Sequence, residues 1–366
     1  MSLFARRPRT NARRHPESNT VRPQPLEALE SRLLKDATVV LAQAGPTKVN
    51  FIDADGSKSS ITLAGPGNVS IPLTGALTQT TKGKTVTVTG TALTASVGAI
   101  GTTTKTKLTI SGKGGTNGRA DVSNVIVTGS LKALNGKTAV IAGNVNVGGA
   151  ASTVTLDSKA TGDVTAQSIS KMTVTNTFAT NLTTGALNTF KAGAIVGGTW
   201  LVNGATSSVT ANSITGWAGT FDSLNKLAVK NEVTGSTLRA AGDIGTVQVK
   251  TLANSNVYAG LATLAAGSLP ASQADFSAQA TIKTVKLKNL SAGSNIAAFA
   301  MNNVTLGTVE SVAAPRFGVA AQQIKSLTAT VSSKKLKLKN VALQSEVDAA
   351  FAAAAIPPQA FVVLIV

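Results

Sequence analysis

The sequence predicts an all-β protein: a single-stranded parallel β-helix, or solenoid, of about 19 residues per rung, with a β cap at its N-terminal end and a short helix and strand at its C-terminal end. Three observations carry this. An apolar residue at position 0, another at +3 and a small or apolar one at +5 recur as Ile169/Met172/Val174, Leu187/Phe190/Ala192, Leu224/Leu227/Val229, Ile244/Val247/Val249, Ile282/Val285/Leu287 and Ile324/Leu327/Ala329. A second ladder keeps the same period, with apolar centres at Leu238, Val257, Phe276, Ile296 and Phe317. Aromatics make up only 4% of a chain that is 43% hydrophobic, so the core is built from small aliphatic side chains that suit a thin rod.

Residues 1–25 hold Arg6, Arg7, Arg9, Arg13 and Arg14 with four prolines, Pro16, Pro23 and Pro25 among them, and no apolar period, and read as a disordered tail. Residues 26–44 follow as a short segment in which Leu26, Leu29 and Leu33 make one apolar stripe. The apolar run Ala37–Ala42 is too short for the core of a signal peptide, and Pro357-Pro358 interrupt the apolar C-terminus, so no transmembrane helix is expected. Residues 45–120 alternate plainly: a hairpin turning at Asp55-Gly56, then strands at Thr85–Thr89 and Lys107–Ser111. They read as a cap, since an uncovered first rung presents an open strand edge.

Residues 121–335 are the repeat. The weaker copies Ala151/Val154/Leu156, Thr206/Val209/Ala211, Leu261/Leu264/Ala266 and Leu306/Val309/Ser311 complete a series starting at 151, 169, 187, 206, 224, 244, 261, 282, 306 and 324. The +3/+5 spacing is strand alternation, and a turn this short must stack on its neighbours to bury its inner side. The pattern leaves the handedness open; a right-handed coil is the working expectation. Residues 336–366 read as a C-terminal cap: the end of the basic strand Lys335–Lys339, a helix over Ser345–Ala355 and a final strand from Phe361.

The Arg/Pro-rich start and Leu29-Glu30-Ser31-Arg32-Leu33-Leu34 resemble the LEPR-XLL segment of exported β-solenoid repeat proteins of the planctomycete type, with Ser31 where Pro is usual and Lys35 where the final Leu falls. Phe51-Ile-Asp-Ala-Asp-Gly56 and Asp121–Leu131 look like that family's lead-in, and Ala241–Val249 like its rungs. The resemblance implies an extracellular or cell-surface protein, with Leu29, Glu30, Arg32, Leu33 and Leu34 as a sorting motif read by export machinery.

Composition removes much chemistry. There is no Cys, and the single His15 lies in the tail, so thiolate nucleophiles, Cys-based zinc sites and a Ser-His-Asp triad are excluded. Asp53-Ala-Asp55-Gly56 has part of a calcium-loop spacing, but its twelfth residue is Ala64, which cannot chelate; a turn is the better account. Gly112–Gly118 lacks a phosphate-loop ending and reads as a flexible loop. The repeat's acids, Asp157, Asp163, Asp222, Glu232, Asp243, Asp275 and Glu310, share no repeat position, so no stacked acidic site, catalytic residue, metal or cofactor is expected.

The basic residues do align. Lys171 and Lys226 occupy +2, Lys191 and Lys286 occupy +4, and Lys230, Lys250 and Lys288 follow the +5 position, with Lys337 and Lys339 nearby. All should point outward, as a solvated, edge-protecting face or as a stripe for acidic polysaccharide or cell-envelope glycan. Interspersed Thr and the lack of surface aromatics argue against nucleic acid. Of the formal charge of +18, residues 1–40 supply eight basic and four acidic groups, so most of the excess rides on the β region. The expected function is a non-enzymatic structural or adhesive rod. A polysaccharide-binding module is the alternative, and a polysaccharide lyase or hydrolase the second.

Overall fold

Runs of Val, Ile and Thr lose little side-chain freedom in extended backbone, and recurrent Gly and Asn break those runs into corners. In a computed structural model, which describes residues 34–90, 93–262, 267–310, 315–357 and 360–366, they form a parallel β-solenoid of about 11 turns with rungs of about 19 residues. The tail, and Leu29, Glu30, Arg32 and Leu33 of the sorting motif, lie outside the described residues; Leu34 opens the first strand, Leu34–Ala42.

The cap is mostly antiparallel; among the described residues the only strands within it that pair parallel are Lys48–Ile52 and Thr85–Gly90. Leu34–Ala42 pairs with Asn68–Lys82, which also pairs with Thr85–Gly90 and Thr94–Ile100. Lys48–Ile52 and Ser57–Ala64 form the expected hairpin, whose turn places Gly56 at φ +85°, where a side chain would be strained. Ser57–Ala64 continues antiparallel onto Lys107–Gly114. Two strands then change the mode of pairing: Lys107–Gly114 lies parallel to Leu131–Ile141, and Thr94–Ile100 parallel to Ala120–Val127. The solenoid starts on edges that the cap has already paired.

Each turn contributes to three parallel ladders. The first carries positions 0 to +5: Ile169, Met172 and Val174 sit against Leu187, Phe190 and Ala192, all buried. The second aligns Phe178, Ile195, Ile214, Val233 and Leu252. The third aligns Leu238, Val257 and Ile296, as the second sequence ladder anticipates. One corner repeats a left-handed residue at Gly197, Gly216 and Gly235, and Asn254 takes the same conformation at φ 46°. Each donates its backbone N–H to the next turn, to Thr215, Thr234, Ala253 and Ala292 respectively.

The register corrects two rungs. Ile244 pairs directly with Ile282, so no rung starts at Leu261, while Leu264 and Ala266 lie outside the described residues; the chain leaves the ladder after Gly260, makes a short 3-10 turn at Gln273–Asp275 and returns at Thr281. Ile282 next pairs with Met301, so that rung is Met301/Val304/Leu306 rather than Leu306/Val309/Ser311. In the third ladder Val257 meets Ile296 and Ile296 meets Val319, so Phe276 and Phe317 are not its centres. Phe317 instead pairs with Phe361 of the final strand Phe361–Ile365. Small apolar residues recur so often that spacing alone admits false copies.

The core runs unbroken from cap to C-terminus. Within it Phe178, Phe190, Trp200, Trp217 and Phe221 form a row of edge-on contacts with centroids 4.5 to 6.0 Å apart, so the few aromatics are packed inside. Truncating one inward aliphatic, as in Leu227→Ala, removes contacts on both adjacent turns and costs about 2–5 kcal/mol. At the far end Lys334–Val341 folds back antiparallel on Gln323–Val331, and the helix Gln344–Ala353 packs beside it, as expected for a closing element. Gln344 also acts as a side-chain strand partner: its Nε2 donates to Val363 O (3.3 Å) and its Oε1 accepts from Ile365 N (2.9 Å).

Candidate functional site: a lysine and threonine face

The first ladder points positions +2, +4 and +6 outward, because 0, +3 and +5 point in. Lys171 stands beside Thr153 and Thr189, Lys226 beside Thr246, and Lys339 beside Ser326. Lys191 lies between Thr173 and Thr210, Lys286 between Gln248 and Thr305, and Lys337 opposite Thr328. Lys230, Lys250 and Lys288 follow the stacked Val229, Val249 and Leu287. All nine are exposed, and all share this face.

Four of them come together. Lys230, Lys250, Lys286 and Lys288, with Gln248 and the edges of Val229, Val249 and Leu287, line one groove of about 330 Å³. Lys171, Lys191, Lys226, Lys337 and Lys339 lie outside it. Sequence reasoning passed over further members of the face: Lys132, Lys137, Lys283 and Lys325 within the same seven-residue segments, and Lys48, Lys58, Lys107 and Lys113 on the cap strands that continue the sheet. Lys48 and Lys107 each precede an inward apolar residue, Val49 and Leu108, which was the available signal; Lys58 and Lys113 are flanked by Ser and Gly and offered none.

The electrostatics of this face are one-sided. Positions 0 to +6 of its turns hold a single carboxylate, Asp157, at the edge. Asp157 is itself committed: Arg119 Nη2 lies 2.9 Å away and Asn176 donates to it at 3.0 Å. That is the only ion pair among the described residues, so no lysine of the face is neutralised by a carboxylate. Neighbouring strands lie ~4.8 Å apart, so stacked ammonium groups repel, and a bound polyanion offsets that repulsion. Lys159 marks the contrast. It is 1% exposed, and its Nζ donates to the carbonyls of Ile141 (3.2 Å), Gly143 and Thr161; burial pushes its pKa down to about 8, against the pull of Asp163.

The acids of the repeat mostly serve corners. Asp163 accepts from Asn181, Asp243 from the Thr281 N–H, Asp275 from the N–H groups of Ala271 and Ser272, and Glu310 from the Ala292 N–H.

The cap holds a closer carboxylate group, which sequence reasoning saw only in part. Asp53, Asp55 and Asp121 each bring one oxygen within 4.8 Å of the others, the arrangement among the described residues that most nearly matches a hard-cation site. The hairpin places the first two, and the strand Ala120–Val127 brings the third from 68 residues away. The oxygens of Asp53 and Asp55 are occupied. Asp53 Oδ1 accepts from Ser57 N (2.9 Å), and its Oδ2 from Ser59 Oγ (2.7 Å) and Asp121 N (3.0 Å). Asp55 accepts from Ser57 N (2.8 Å) and Asn117 N (3.0 Å). Burial raises the pKa of Asp53, while hydrogen bonds from Asp53 and then Ser57 pull Asp55 down to about 2. Asp55 ties the Gly112–Gly118 segment to the hairpin through Asn117, and Asp53 ties the start of the next strand through Asp121.

No family model matches the chain, and no curated protein or solved structure matches it either.

Proposed function

We propose that the protein is an exported, non-catalytic β-solenoid that acts as a structural or adhesive rod outside the cell or at its surface, and that it engages acidic polysaccharide through its Lys/Thr face. One observation carries the binding reading: Lys230, Lys250, Lys286 and Lys288 converge on a groove with no carboxylate in its lining. Hydroxyl and carboxamide groups beside the ammonium groups suit a sugar polymer, which offers hydroxyls as well as charge. The continuous core supports the rod, and the acids engaged at corners support a non-catalytic reading over a lyase or hydrolase. The sorting-motif resemblance supports export.

An acidic-polysaccharide column eluted with rising salt tests the binding. The wild-type chain is expected to be retained, and the double variant K250E/K288E to elute at clearly lower salt. Equal low-salt elution of both sinks the binding reading. Unsaturated products released from uronic-acid polymers would instead reinstate a lyase. For export, deletion of residues 1–33 removes all of the motif except Leu34 and spares the first strand. Loss of secretion with the solenoid still folded is the expected result, and normal secretion refutes it.

A further inference from the structure

Resting on that polysaccharide-binding reading, we infer that the partner is a long, linear acidic polysaccharide laid across the strands along the solenoid axis, and that the cap forms part of its site. The cap and the solenoid share one outward face. Because Lys107–Gly114 pairs antiparallel with one neighbour and parallel with the other, an outward column passes without a break from Thr85 through Lys48, Lys191 and Lys286 to Lys337. Every other member is Thr, Asn, Gln or Ala, and none is acidic. Fourteen strand pairings at ~4.8 Å give this column a length of roughly 65 Å.

The cap end of the face is also concave. A depression of about 670 Å³ is lined by Lys48, Lys58 and Lys113 with Asn50, Ser60 and Ser111, again without a carboxylate. Lys58 and Lys113 are direct neighbours on adjacent strands, and the Ser60 and Ser111 hydroxyls hydrogen-bond at 3.0 Å. This repeats the chemistry of the Lys230/Lys288 groove several strands away. A small anion meets one cluster at a time. A chain that spans both meets the second at high effective concentration, so its affinity rises without any new kind of contact. Nucleic acid fits less well, because this face offers no stacking platform among the described residues: Trp200, Trp217 and Tyr258 are buried and so is Phe51 beneath the cap depression.

Size-fractionated heparin oligosaccharides, titrated at fixed salt and followed by anisotropy of a label on the sugar, test the inference. Affinity is expected to climb with fragment length and level off as the contour approaches roughly 65 Å. K58E/K113E is expected to weaken the longest fragments about tenfold and to leave the shortest unchanged. K58T/K113T, with a thermal melt of each variant, guards against misfolding. If short fragments bind as tightly as long ones, or the cap variants bind long fragments normally, the axial site is wrong while the polysaccharide reading stands. If no fragment binds, both fail. Tighter binding of single-stranded DNA of equal charge at the same salt overturns the proposal in favour of nucleic acid.

Discussion

The Lys/Thr face and the third ladder belong to the same turns, yet their outward columns have opposite fates. On the first, Lys191, Lys286 and Lys337 stand in water among Thr. On the third, Arg239, Tyr258, Ala297, Ala320 and Leu364 succeed one another, and Tyr258, Ala297 and Ala320 are fully buried. The chain that leaves the ladder after Gly260 supplies the cover: Leu261 and Leu269 pack on this strip. Asn295 Nδ2 donates to Gly267 O (2.8 Å), and the Tyr258 hydroxyl lies 2.7 Å from Ser268 O, while Arg239 sits over the Tyr258 ring at 4.9 Å. Outward position in a solenoid therefore does not decide exposure. Tyr258, Ala297 and Ala320 acquire a lid, whereas Leu201 and Ile126 further along the same column, like the outward lysines, do without one.

This difference sets the expected response to substitution. Tyr258→Ala opens a cavity under the lid and removes its hydrogen bond, and should lower the unfolding free energy by about 3 kcal/mol in denaturant titrations. A loss below about 0.5 kcal/mol would mean that the lid is not packed there. Because Tyr258 is the only tyrosine in the chain, tyrosinate absorbance reports it alone. Burial raises its pKa to about 12, with Arg239 opposing. A raised native pKa means that the contribution is intact below the unfolded value of ~10 and is lost as pH rises through the native one. Absorbance should titrate near 12 in the folded protein, and stability should decline above ~10. An inflection near 10 with the fold intact would show an open lid. The smallest effect belongs to the other face: K250T/K286T/K288T should change stability by no more than about 0.5 kcal/mol, since these side chains are exposed and unpaired. A large loss would show that they hold the solenoid together.

What was legible followed from local rules. Ile169, Met172 and Val174 reveal a strand because alternation is fixed by backbone geometry, and Lys230, Lys250 and Lys288 reveal a face because they fill the outward slots of that same alternation. The false rung at Leu261 has an equally plain cause: its spacing is right, but no neighbouring turn pairs with it. Phe317 misled for the same reason, being apolar and placed two residues before the true centre, Val319. The cap lysines escaped because an antiparallel register does not share the repeat's period. Asp121 escaped because its approach to Asp53 depends on pairing across 68 residues, which no local pattern encodes.

The excursion after Gly260 carries one more consequence. Ile244 and Ile282 pair as though the intervening segment did not exist, so added chain is accommodated without disturbing the stack. Doubling the length of such a loop costs only about 0.6 kcal/mol in closure entropy. The corner between Gly260 and Thr281 is therefore a natural port, where lineages can graft new peptide and where an engineer can mount a cargo epitope on the finished rod.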